Sequence, residues 1–153
     1  RLKVEGGKCT GWIDFGEGKF KDARNIQRIS GGQVQKFTEL RVWHGAQDLA
    51  CEVYRVSRAF PAEEKFGMVS QVRRAAVSVS SNIAEGSKRL SSADYARFIN
   101  MAEGSLNEVE SLLYLAARLG FLPQSNFAAL RSLISPLERM LHALRNRIQS
   151  ASA

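Results

Sequence analysis

The sequence predicts an all-α protein, an up-down antiparallel four-helix bundle, and two observations carry that prediction. Between residues 37 and 148, four successive segments place apolar residues at alternating spacings of three and four. The breaks between them are short and contain Pro61, Gly67, Gly86, Gly120 and Pro123. The spacing turns one stripe of each helix toward a common seam, the left-handed packing of helical bundles. Short loops make consecutive helices antiparallel neighbours.

The first helix is predicted over residues 38–58, with Thr38 as N-cap and the stripe Val42, Ala46, Leu49, Val53, Val56 and Phe60. Phe60-Pro61 ends it, because the residue before proline disfavours helical backbone. The second runs over residues 68–85 through Met68, Val72, Ala75, Val79 and Asn82, and Gly86 closes it. Ser91 and Asp94 resemble a capping box and start the third, whose stripe is Tyr95, Phe98, Ala102, Ser105, Val109, Leu112, Ala116 and Leu119. Gly120 caps it and Pro123 forbids continuation. Ser125 can cap the fourth, with Phe127, Leu130, Ile134, Leu137, Leu141, Leu144 and Ile148 as its stripe. Pro136 lies inside that helix but off its stripe, so a kink is expected rather than a break.

Two helices carry more apolar surface than a four-helix seam requires. Val69, Ala76 and Ile83 adjoin the second stripe, with Val77 beyond; Ile99, Leu106 and Leu113 adjoin the third, widened by Tyr114 and Leu115. Exposed apolar area of that size marks an interface, so self-association is expected. The alternative is that the extra stripe widens the internal core.

Residues 37–150 form the bundle domain, and residues 1–36 differ from it in kind. Seven of the twelve glycines fall in that leader and no helical period survives there, so it reads as an irregular, Gly-rich basic segment. Trp12, Ile13 and Phe15 offer a short strand or docking patch. Much of the leader is expected to be read-through of untranslated sequence: Gly31-Gly32 implies purine-rich codons like a ribosome-binding site, and Val34 suits a GUG start. A flexible basic arm is the alternative.

The formal charge of +7 divides unevenly, with eight Lys/Arg against four Asp/Glu in residues 1–36 and fourteen against eleven in the rest. The bundle is therefore only mildly basic, and its case for nucleic acid rests on how its cations are grouped. The candidates are Arg73-Arg74, Lys88-Arg89, and Arg139, Arg145 and Arg147. Phosphate binding needs several such groups on one surface. The alternative for each is pairing with Glu63, Glu64, Glu103 or Glu108, and Arg145 and Arg147 suit a helix C-terminus without any ligand. Trp43 and His44 read as packing and rim residues. Asn82 falls on the core stripe, where an amide must be bonded, and reads as a structural polar residue fixing packing or oligomer register. Glu85 can accept from Asn82 or pair with an arginine.

No nucleophile–base pair, phosphate loop or metal-ligand spacing is visible, so neither an enzyme nor a cofactor is expected. Cys51 beside the first stripe reads as a small buried thiol. No apolar run approaches the ~18 residues of a membrane span, and without an export signal the expected compartment is the cytoplasm.

The wording of several segments is more specific. Phe37-Thr38-Glu39-Leu40-Arg41-Val42-Trp43, Phe60-Pro61, Phe66-Gly67-Met68-Val69-Ser70-Gln71-Val72-Arg73-Arg74-Ala75-Ala76-Val77-Ser78, Ser81-Asn82-Ile83-Ala84-Glu85-Gly86 and Ala102-Glu103-Gly104-Ser105-Leu106-Asn107-Glu108 resemble the bacterial four-helix-bundle family of 23S rRNA intervening-sequence proteins. The resemblance covers residues 37–148. It implies a ring-like homopentamer, and a gene of the type often found inside insertions in large-subunit ribosomal RNA genes. It also implies kinship with the accessory variability proteins of diversity-generating retroelements, which bind nucleic acid and a reverse transcriptase through basic surfaces. No catalytic residues are known for the family. The expectation is thus a non-enzymatic, self-assembling bundle that binds RNA or DNA backbone non-specifically. The alternative is a protein-interaction scaffold without nucleic acid.

Overall fold

Four α-helices make the bundle: α1 (Arg41–Val56), α2 (Met68–Gly86), α3 (Ser92–Arg118) and α4 (Gln124–Ser150). The computed structural model describes residues 3–5, 8–10 and 36–150. Each helix packs against its sequence neighbours, and α1 closes the square against α4. Side-chain pairs fix the direction. Along α3, Glu103 meets Arg145 and Glu110 meets Arg131, so the α4 number falls as the α3 number rises. Gly86 lies against Phe98 while Ser78 bonds Ser105, which makes α2 antiparallel to α3.

The predicted stripes fill one core. Leu49, Val53, Leu130, Leu137 and Leu141 have no measurable exposure, and Asn82 is buried on the α2 stripe as expected. Leu119 departs from its stripe and is exposed, because α3 ends at Arg118 and the chain turns away there. The larger correction concerns the extra apolar stripe. Val69, Ala76, Ile83, Ile99, Leu106 and Leu113 are all buried inside the single chain. They widen the internal core and supply no interface. Val77, Tyr114 and Leu115, which lay beyond that stripe, are the members left in water.

Helix ends follow local chemistry, with three corrections. Thr38 does not cap α1; it sits in a 3-10 turn over Phe37–Glu39, and Leu40 takes the cap position as a buried apolar anchor. The Thr38 carbonyl instead accepts a bond from His44 Nε2 at 2.8 Å. Ser125 lies inside the first turn of α4, whose opening bond runs from Phe127 N–H to the Pro123 carbonyl at 3.0 Å. Gly86 does not close α2 through left-handed backbone. The next residue, Ser87, remains helical, and among the described residues only Gly120, after α3, has positive φ, at 77°. Gly86 serves a different end: a Cβ there would fall 2.8 Å from Phe98 Cβ and 2.9 Å from Tyr95 Cδ2. Its missing side chain is what lets α2 and α3 converge.

The start of α3 matches expectation. Ser91 Oγ accepts from Asp94 N–H at 3.1 Å and starts α3. The Asp94 carboxylate turns to Arg97 and Arg89 instead, so only half of the capping box forms. Glu64 Oε2 accepts from Met68 N–H at 3.0 Å and caps α2. Helix α4 runs unbroken through Pro136.

In the leader, Lys3–Glu5 and Lys8–Thr10 form an antiparallel pair with Val4 opposite Cys9, so these six residues are not irregular. The strand or patch expected at Trp12, Ile13 and Phe15 lies outside the described residues, as do Gly31-Gly32 and Val34. Among the described residues no helix is long and apolar enough to cross a membrane, and no cluster of His, Cys, Asp and Glu could hold a metal ion. Cys51 is half-buried rather than buried.

Candidate nucleic-acid interface

The bundle sorts the candidate cations by helix end. The C-terminus of α2, the N-terminus of α3 and the C-terminus of α4 share one end of the molecule. Lys88, Arg89, Arg145 and Arg147 lie toward that end, with Arg147 turned about 200° around α4 from Arg145. Arg73 and Arg74 stand in the N-terminal half of α2, about 20 Å away along the axis. Arg139 is exposed on α4, about 9 Å from Arg145 along its helix. One chain therefore carries two basic regions and an outlying arginine.

At the shared end, Phe98 organises the charge. Its ring lies under the Arg89 guanidinium at 4.4 Å and the Arg97 guanidinium at 4.8 Å. Asp94 sits between them, 3.7 Å from Arg89 and 2.9 Å from Arg97, which offsets one positive charge and fixes both side chains. Arg89 also pairs with Glu85, so Glu85 partners an arginine and not Asn82. Arg97 was not among the sequence candidates. Its only signals were the acid three residues earlier and the aromatic beside it.

Arg97 and Arg145 face a cleft of about 510 Å³ between the start of α3 and the end of α4, lined also by Ser92, Asn100 and Gln149. Arg145 pairs with Glu103 at 2.8 Å and donates to Asn100 Oδ1 at 3.3 Å, while its Nε is buried with no bonding partner. The N-terminal turn of α3 adds its positive dipole end to the same cleft. Lys88 is exposed there without an ion pair among the described residues. The arrangement can hold an anionic backbone by charge and stacking.

The other region is built differently. Arg73 is half-buried, donates from Nε to Ser57 Oγ at 2.8 Å and lies 4.8 Å over the Tyr54 ring, which ties α1 to α2. Glu63 and Glu64 do not pair with it. Arg74, one residue on, points to solvent as the helical turn requires. Around them runs an open groove of about 710 Å³ lined by Tyr54, Lys65, Phe66, Val69 and Val77. Phe66, at 87% exposure, stands out from its floor. Periodicity does not single out Phe66, because it lies in a turn where no stripe draws attention to it.

Asn82 is bonded. Its Nδ2 donates to the Ser78 carbonyl at 2.9 Å and to Ser78 Oγ at 3.1 Å, and Ser78 Oγ meets Ser105 Oγ at 2.9 Å. The amide thus anchors a short polar chain across the α2–α3 seam, inside one protomer. Trp43 packs on the core and stacks edge-on with Phe37 at 5.1 Å.

The likeness to known proteins follows the bundle. A family model described as 23S rRNA-intervening sequence protein matches residues 38–143. A crystal structure of a protein of unknown function from the S23 ribosomal protein family of Bacteroides thetaiotaomicron superposes with a TM-score of 0.63. The two share 23% sequence identity over 68% of this chain and 97% of that one, a likeness of fold. No curated protein matches the chain.

Proposed function

Because the chain belongs to the 23S rRNA-intervening sequence protein family, we propose that it is a non-enzymatic, cytoplasmic bundle that self-assembles and binds RNA or DNA backbone without sequence preference. A ring-like homopentamer is the assembly proposed, and it would repeat each basic surface around one axis. The observation that carries the nucleic-acid reading is the pairing of Arg97 and Arg145 in the cleft at the start of α3, with Arg89 beside Arg97 over Phe98 and Lys88 exposed at the same end of α2. Phosphate contacts from several such groups release counterions, so affinity should fall steeply with salt.

Titrating a structured RNA against the full chain at several salt concentrations tests this. Wild-type protein should bind at low salt, and Lys88→Ala/Arg97→Ala should keep its helical content while the log–log salt slope shrinks by about one for each lost contact. No binding at low salt would remove the nucleic-acid reading, and an unchanged slope in the double variant would place the contacts away from this end of the bundle. The α1–α2 groove supports a second reading, a protein-interaction scaffold whose charge serves other ends.

A further inference from the structure

The groove between α1 and α2 has an apolar floor and a basic rim. Tyr54 and Val77 are each 42% exposed beside the projecting Phe66. Lys65, Arg73 and Arg74 border them, and no acidic residue lines the groove. Arg73 is committed to Ser57 and Tyr54, whereas Arg74 has no ion pair among the described residues. Water covers this surface poorly, because apolar area is left hydrated, and none of the three cations on its rim is paired with an acid among the described residues.

The outer side of α3 has the opposite character. Met101, Gly104, Glu108, Ser111 and Leu115 recur at spacings of three and four on the face turned away from the core, where Met101 is 44% and Leu115 46% exposed. Glu108 is the acid of that ridge and has no ion pair among the described residues, whereas Glu103 and Glu110 are both engaged with α4. Gly104 stands mid-helix, and a Cβ there would meet nothing within 4 Å. A glycine weakens a helix interior, and nothing inside the chain gains from this one. A small residue at the middle of an apolar ridge lets a second surface come close. Residues 101 to 111 extend about 15 Å along α3, and residues 69 to 78 of the groove about 14 Å along α2.

We propose that the α1–α2 groove of one copy receives the α3 ridge of a second copy, with Arg74 pairing with Glu108 across the contact. The inference rests on the self-association reading and is independent of nucleic-acid binding. Groove and ridge share no residue, so the contact is heterologous: each copy offers one surface and keeps the other. Contacts of that kind repeat head to tail and close into a ring when the rotation between copies allows. The exposed apolar floor suits an apolar ridge better than a continuous phosphate backbone, which would leave Phe66, Tyr54 and Val77 in water, and Glu108 supplies an acid that the groove lacks.

Sedimentation velocity over a concentration series of the full chain tests the contact. Arg74→Glu and Glu108→Arg should each weaken association at least tenfold, and the double charge swap should restore it. Phe66→Ser, at a position already exposed in the single chain, should dissociate the protein without loss of helicity. Wild-type assembly unaffected by all of these variants would place the interface elsewhere and overturn the proposal while self-association stands. Two disruptive single variants without rescue would overturn the Arg74–Glu108 pairing. Loss of RNA binding at unchanged mass in Arg74→Glu and Phe66→Ser would assign the groove to nucleic acid. A monomeric wild type would overturn the self-association reading itself.

Discussion

Gly86→Val should destabilise the bundle by about 3 kcal/mol, the upper part of the range for overpacking a filled core. The new Cβ would fall 2.8 Å from Phe98 Cβ, an atom close to the backbone that cannot swing aside. Phe98 is itself held between Arg89 and Arg97, and the second neighbour, Tyr95, packs against the core. Relief must therefore come from separating α2 and α3, which pulls Ile83 and Ile99 apart in the core they share. Urea denaturation measures the loss. A change below about 0.5 kcal/mol would show that the helices do not meet at Gly86. Gly104→Ala is the contrasting case. With open space around it, the added methyl should improve helix propensity by up to about 1 kcal/mol when measured in the Arg74→Glu background, where assembly does not contribute.

Raising the pH from 10 to 12 should cost the folded state about 1–2 kcal/mol through Tyr95 alone, after discounting for its partial exposure. Burial favours the neutral phenol and pushes the Tyr95 hydroxyl from its ordinary value of 10.0 up to about 12. Below pH 10 the phenol is protonated in both folded and unfolded chains, and its stabilising contribution is complete. As pH rises from 10 toward 12 the unfolded chain ionises first, which favours unfolding, and the contribution is gone above the folded value. Thermal melts of wild type and Tyr95→Phe across this range should diverge, with the variant flatter. Parallel profiles would mean that Tyr95 is hydrated in the folded chain.

Much of the fold was legible because helical periodicity and end chemistry act locally. The α4 stripe from Leu130 to Ile148 is buried at every predicted position, and Ser91 caps α3 through the hydroxyl that the sequence offered. Periodicity could not say what an apolar face meets. Val69, Ala76 and Ile83 suggested a second chain, yet they are buried with Ile99, Leu106 and Leu113 in the core of one chain. A broad stripe looks the same in sequence whether a neighbouring helix or another molecule covers it. Gly86 misled for a related reason, since a glycine at a helix end can serve positive φ or close approach, and only the neighbouring Phe98 decides.

The candidate site was legible only in part. Adjacency grouped Arg73 with Arg74, but helical geometry sends the first to Ser57 and the second to solvent. Arg97 joins Arg89 and Arg145 only after folding brings the ends of α2, α3 and α4 together. Such convergence depends on which helix ends coincide, and no spacing along the chain encodes it.

Self-association remains the step on which both the repeated basic surface and the groove-to-ridge contact depend. Light scattering of the full chain at micromolar concentration measures it directly. The mass should come out at about five times the chain's 17.0 kDa, as the proposed ring-like homopentamer requires. A single species of 17.0 kDa at that concentration would contradict it.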